Sequence, residues 1–167
     1  MQNTPEKLPL HKISLDNYHL NYHLNYRLII NVACILVCVS FSLFIGWIIY
    51  QANTGGSNVF FDLVRTIPYG DKIGHFCLFG LLTTMGLLAS RLAHFSFRNI
   101  RIYYAVLVVS IFVLVEEISQ AFISTRTFDL SDLLADALGI TLCSFITIKL
   151  FTRYTYSQLS KDEYKRL

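Results

Sequence analysis

Four long apolar runs separated by short polar stretches constrain this chain more than any other feature. The first, Leu28–Tyr50, has no charged residue and is long enough to cross a bilayer with some tilt. It exceeds a signal-peptide core and lacks a small-residue cleavage site. Trp47 and Tyr50 at its far end suit an interfacial aromatic belt. Three further runs approach spanning length, so the sequence predicts spans at about 28–50, 73–90, 101–122 and 133–151. With 54% apolar and 15% charged residues, against about 25% charged in soluble proteins, lipid is the expected solvent. The predicted fold is all-α, an integral membrane four-helix bundle.

Lysine and arginine placement orients the bundle. Lys7, Lys12 and Arg27 lie before the first run, Arg91, Arg98 and Arg101 in the middle connection, and Arg153, Lys161, Lys165 and Arg166 after the last. Both termini and the middle connection are therefore expected in the cytoplasm, and the first and third connections outside. The expected organisation is a polar tail over 1–27, a membrane domain over 28–151 and a second cytoplasmic tail over 152–167. The first tail holds an "NYHL NYHL NYRL" repeat with strict apolar alternation, read as an irregular segment at the lipid surface. His11, His19 and His23 lack an accompanying carboxylate or cysteine for a metal site. Asp71, after Pro68 and Gly70, stands where a helix N-cap is expected.

The net charge of +3 and the absence of a basic stripe or nucleic-acid motif give no reason to expect a nucleic-acid partner. Cys34, Cys38, Cys77 and Cys143 all lie within apolar runs, which argues against a disulfide framework and for buried hydrophobes.

Two polar motifs interrupt this pattern. "DKIGHF" opens the second run, and "VEEISQAFISTRTFDLSDLLADALG" lies between the third and fourth. An ionised side chain at mid-bilayer costs roughly 2.5–3.5 kcal/mol, so these groups are expected to face inward, pair or touch water. Asp71 and His75, four apart, share a face, as do Glu117 with Gln120 and Asp132 with Asp136. The short loop carrying Arg126 makes the third and fourth helices antiparallel neighbours. Expected pairs are Arg126 with Glu117 or Asp132, and Asp71 with His75. Asp129 and Asp132 also suit the start of the fourth helix, as N-cap and as carboxylate at the positive end of its dipole. Glu116 is expected to be solvated at the interface. Gly74, Gly80, Gly86 and Gly139 are read as close-packing positions.

The motif residues Asp71, Lys72, His75, Phe76, Glu117, Gln120, Arg126, Asp132 and Gly139 resemble the pattern of the VanZ-like family of bacterial membrane proteins, named for a component linked to teicoplanin resistance. Asp136 stands where that family usually has Asn, and Thr125 precedes the arginine in place of the usual Gly. The resemblance implies a multi-pass protein of the bacterial inner membrane with a four-helix core, and no defined reaction.

The candidate site comprises Asp71, Lys72, His75, Glu117, Gln120, Arg126, Asp129, Asp132 and Asp136. Apart from the bilayer, the expected partner is an anionic headgroup, cell-wall precursor or lipophilic antibiotic, with Lys72 and Arg126 making the contact. The alternative is an enzyme acting on a lipid-linked substrate, with His75 or Glu117 as general base and Glu117, Asp129, Asp132 and Asp136 holding a divalent cation. No nucleophile motif is present and no cofactor is assigned. A small transporter relaying protons fits least, without an internal repeat of helices.

Overall fold

The computed structural model describes residues 10–56 and 59–164, with side chains for 26, 28–56, 59 and 61–157. Five helices and a hairpin follow in chain order: α1 (Leu10–Asn53), α2 (Val59–Thr66), α3 (Gly70–Ala89), β1 (His94–Phe97), β2 (Ile100–Tyr103), α4 (Tyr104–Gln120) and α5 (Leu130–Tyr164). Among the described residues, three helical segments are long and apolar enough to cross a membrane: Leu28–Asn53, Gly70–Ala89 and Leu130–Ser157. α4 is shorter, at 17 residues.

The chain is mostly helical rather than wholly so. The middle connection, in a fold expected to be all-α, forms an antiparallel hairpin in which His94 pairs with Tyr103 and Phe97 with Ile100. Alternating aromatic and β-branched residues favour a strand, and Arg98 takes the left-handed turn conformation at φ 54°. Upstream, α3 ends as Leu92 N–H bonds to Leu87 O (2.8 Å) and Arg91 N–H to Leu88 O (3.1 Å), a Schellman closure.

The N-terminal repeat is helical, contrary to the irregular tail expected over 1–27: α1 begins at Leu10. No Gly or Pro separates it from the first span, and extending an existing helix needs no new nucleus. The first nine residues lie outside the described residues, as do the side chains of His11, His19 and His23. α5 likewise runs beyond position 151.

Hydrogen bonds fix the helix directions. Thr125 Oγ1 donates to Asn53 O at 2.8 Å, tying the end of α1 to the α4–α5 loop. Arg91 Nε donates to Asn31 Oδ1 at 2.9 Å, tying the earlier part of α1 to the end of α3. The nearest partner of α5 is α3, which runs parallel to it, whereas the short loop had pointed to α4. Contacts advance in step along both helices: Lys72 with Asp132, His75 with Asp136, Thr84 with Thr147. Small residues bring the two backbones together. A Cβ on Gly139 would collide with the Phe76 carbonyl, and one on Gly80 would lie 2.8 Å from Cys143 Sγ and 3.2 Å from Gly139 O.

This is the small-residue contact that lets helices associate in lipid, where apolar burial alone supplies no drive. Gly86 approaches Ala105 Cβ, at 3.1 Å for an added Cβ, whereas Gly74 faces open space and is not a packing position. Beside this seam, Ile45, Phe79, Leu82, Val109, Val113 and Ile140 form the apolar core. Phe79 therefore belongs to the interior. Cys34, Cys38 and Cys143 are half-buried and Cys77 is exposed; all four are unpaired thiols.

Candidate functional site

α3 and α5 begin, and α4 ends, at the same end of the bundle, so their terminal turns pool their polar side chains. At the start of α3 the N-cap is Tyr69, in the left-handed conformation, and Asp71 lies in the first turn. The expected Asp71 cap is thus displaced: Gly70 packs closely on the Val64 carbonyl, and the cap falls two residues earlier, at Tyr69. Asp129 does cap α5: Ser131 N–H donates to its Oδ1 at 2.9 Å and the Ser131 hydroxyl donates to the same oxygen. Those two bonds, and then the Lys72 ammonium, hold the Asp129 carboxyl well below the usual carboxylate range.

Two layers of charge follow. In the outer layer Lys72 Nζ donates to Asp132 Oδ1 at 2.9 Å, Asp129 Oδ2 at 3.0 Å and Asp71 Oδ2 at 3.2 Å. Sequence reasoning gave Lys72 no partner, and it is the hub. Side-chain exposure grades from 59% at Asp71 and 43% at Asp129 to 27% at Lys72 and 11% at Asp132, so this layer opens to the surroundings. The three ion pairs therefore sit between the weak exposed and the strong buried regimes.

In the inner layer His75 Nδ1 lies 3.1 and 3.2 Å from the two oxygens of Asp136. The expected Asp71–His75 pair does not form. Although the two share a helix side, the α3–α5 seam carries Asp136 to the imidazole first. Gln120 Nε2 donates to Glu116 Oε2 and to Glu117 Oε2, each at 2.9 Å. The second oxygen of Glu117 accepts the Asp129 N–H at 3.2 Å, joining the end of α4 to the start of α5. Glu117 and Asp136 are 0% exposed and Gln120 is 2% exposed.

Arg126 reaches neither Glu117 nor Asp132. Its Nη2 stands 3.7 Å from Glu116 Oε1, so Glu116, expected at the interface, is buried within the cluster. The cause is the end of α4 at Gln120: the turn that follows carries Arg126 over the near side of the helix, where Glu116 faces. The only signal for Glu116 in the sequence was its place four residues before Gln120, the spacing that lets the amide reach it.

The nine expected site residues thus gather in one constellation, with Glu116 as a tenth member. A comparison with known families accounts for the pattern: the VanZ/LLP1 family model matches residues 22–152. The chain belongs to the VanZ/LLP1 family. A search of curated proteins returned no match, nor did a search of solved structures. This VanZ/LLP1 chain is a membrane protein by family and by its apolar helices. Its polar cluster is dominated by carboxylates: Asp71, Glu116, Glu117, Asp129, Asp132 and Asp136 face Lys72, Arg126 and His75. With neutral imidazole, six acids meet two fixed cations. Such an arrangement attracts cations, organises protons, or exchanges internal ion pairs for a charged ligand.

Proposed function

We propose that the chain is a four-span protein of the bacterial inner membrane, with both termini cytoplasmic, whose polar cluster opens outward and binds the headgroup of a lipid-linked envelope molecule or lipophilic antibiotic. α4 supplies the fourth span. Its 17 residues reach about 26 Å at 1.5 Å per residue, close to the hydrocarbon thickness of about 30 Å. The orientation is supported by the arginines of the hairpin end, Arg91, Arg98 and Arg101, because the positive end of such a bundle stays inside.

One observation carries the reading. Fully buried Glu117 and Asp136 sit beneath a rim formed by Lys72, at 27% side-chain exposure, and Arg126, at 19%. Both rim cations are partly exposed, and such cations suit phosphate or carboxylate. Both cations already hold carboxylates, so an anionic ligand enters by displacing Asp129 from Lys72 and Glu116 from Arg126. The family's naming for teicoplanin resistance makes that glycopeptide the first ligand to try.

Alkaline phosphatase fused after Arg126 is expected to be active, and fused in the hairpin after Arg98, inactive; the reverse pattern would refute the orientation. Cells expressing the chain are expected to tolerate more teicoplanin than cells without it. K72Q and R126Q, made at wild-type membrane levels, should lose that protection; if both retain it, the rim is not the ligand contact. The approach of His75 to Glu117 and Asp136 favours one second reading, an enzyme on a lipid-linked substrate using one of these groups as general base. Turnover of such a substrate by the purified protein, lost in H75Q, is its test.

A further inference from the structure

We propose that His75, Glu117 and Asp136 form a binding site for one transition-metal dication, Zn²⁺ or Mn²⁺, at the junction of α3, α4 and α5. Each residue offers one ligand atom, and the three atoms lie within 4.8 Å of one another. Donors at about 2.0–2.2 Å around a tetrahedral metal lie roughly 3.3–3.6 Å apart, so the side chains would close in by up to about 1.5 Å to complete the set. This differs from the acidic set suggested by sequence, since Asp129 and Asp132 are engaged by Lys72.

Three independent features point the same way. The first is charge: Glu117 and Asp136 are 0% exposed, while the two fixed cations are occupied elsewhere, Lys72 by Asp129 and Asp132, and Arg126 by Glu116. Two buried carboxylates that, among the described residues, share one imidazole as their only titratable base are strongly unfavourable in an apolar bundle, and a dication supplies the missing charge. The second is the hydrogen bonding of Asp136. Among the described residues its bonds run to a single imidazole nitrogen, although a carboxylate has about four acceptor positions.

The third is the support around Glu117, which is held by the Gln120 amide and the Asp129 N–H. Outer hydrogen bonds of this kind fix ligating carboxylates in metal sites. One imidazole with two carboxylates suits Zn²⁺ or Mn²⁺ better than Ca²⁺, which takes six to eight oxygens. Contributed by three helices, the site would clamp the bundle. It stands whatever ligand the rim accepts.

The full chain, purified in detergent and stripped with EDTA, is titrated with ZnCl₂ and MnCl₂ while bound metal and Tm are measured. We expect one dication per chain and a Tm that rises with its concentration. E117Q and D136N should lose both effects, and D62N, remote on α2, should keep both. X-ray absorption of the loaded wild type should show a first shell of oxygen with one histidine nitrogen, a readout that needs no variant. Wild type with neither bound metal nor a Tm shift would overturn the proposal. So would undiminished binding in both E117Q and D136N, or a shell without histidine.

Discussion

Replacing Gly139 with leucine is expected to abolish the folded protein, whereas the same change at Gly74 is expected to be tolerated. The two glycines both lie on helices of one seam and differ in what a side chain would meet. At Gly139 even the first carbon overlaps the carbonyl of Phe76, and at Gly74 nothing lies within 4 Å. The obstacle at Gly139 is backbone, so relief requires α3 and α5 to separate. Overpacking by a methyl group or two costs typically about 1–3 kcal/mol, and a leucine here also pulls Lys72 from Asp132 and His75 from Asp136.

Gly139→Ala should therefore lower the midpoint of thermal unfolding in detergent, and Gly139→Leu should give no monodisperse protein. Gly74→Ala should hold or raise the midpoint, since alanine is favoured over glycine in a helix interior by roughly 0.5–1 kcal/mol. Equal behaviour at the two positions would mean that α3 and α5 do not meet along this line.

The second large effect is expected at Gln120. Its amide nitrogen bridges Glu116 and Glu117, at 2.9 Å to each, and so keeps two buried carboxylates side by side. Gln120→Glu replaces the donor with an acceptor and puts a third acid in the pocket. Each hydrogen bond to a charged group is worth about 1.5–3 kcal/mol, and like-charge repulsion adds to the loss. Q120E should be destabilised by at least about 3 kcal/mol. Gln120→Met, which removes the donor without adding charge, should lie between Q120E and wild type.

The sign of a pH response separates charge from shape. Acidification returns a proton, and with it a donor, to the carboxylate introduced by Q120E. The deficit of that variant should therefore shrink as pH falls, and that of Q120M should shrink less, because methionine adds no acid. Unfolding midpoints of the three proteins across a pH series provide the measurement. A Q120E deficit independent of pH would indicate that packing, not charge, sets the cost.

Much of this molecule can be read from its residues, for identifiable reasons. Hydrophobic run length located α1, α3 and α5, because the dominant requirement in lipid is that each segment satisfy its own backbone. The cost of charge near hydrocarbon singled out the nine polar site residues and implied that they gather. What spacing could not supply was rotation and register between helices. Asp71 and His75 share a side of α3 at any register, yet the partner of His75 was set by Gly80 and Gly139, which slide α5 along α3 until Asp136 arrives.

The same limit explains Arg126. The connection from Gln120 to Leu130 permits several reaches, and only the end of α4 at Gln120 selects Glu116. The hairpin His94–Tyr103 escaped notice because its alternation spans only two four-residue strands between stronger helical runs. The NYHL repeat reads as irregular because its alternation does not follow a helical period, but continuity with the first span makes it helix.

The central claim is that α3, α4 and α5 join their charges in one interior site, and the His75–Asp136 contact, 3.1 Å across the parallel seam, is its most buried link between helices. A double-mutant cycle of H75L, D136L and the double variant, read as unfolding free energy in detergent, tests it most directly. The structure predicts a coupling of at least about 1 kcal/mol, as expected for residues in contact. Single-variant losses that add to within about 0.3–0.5 kcal/mol, the behaviour of distant residues, would contradict it.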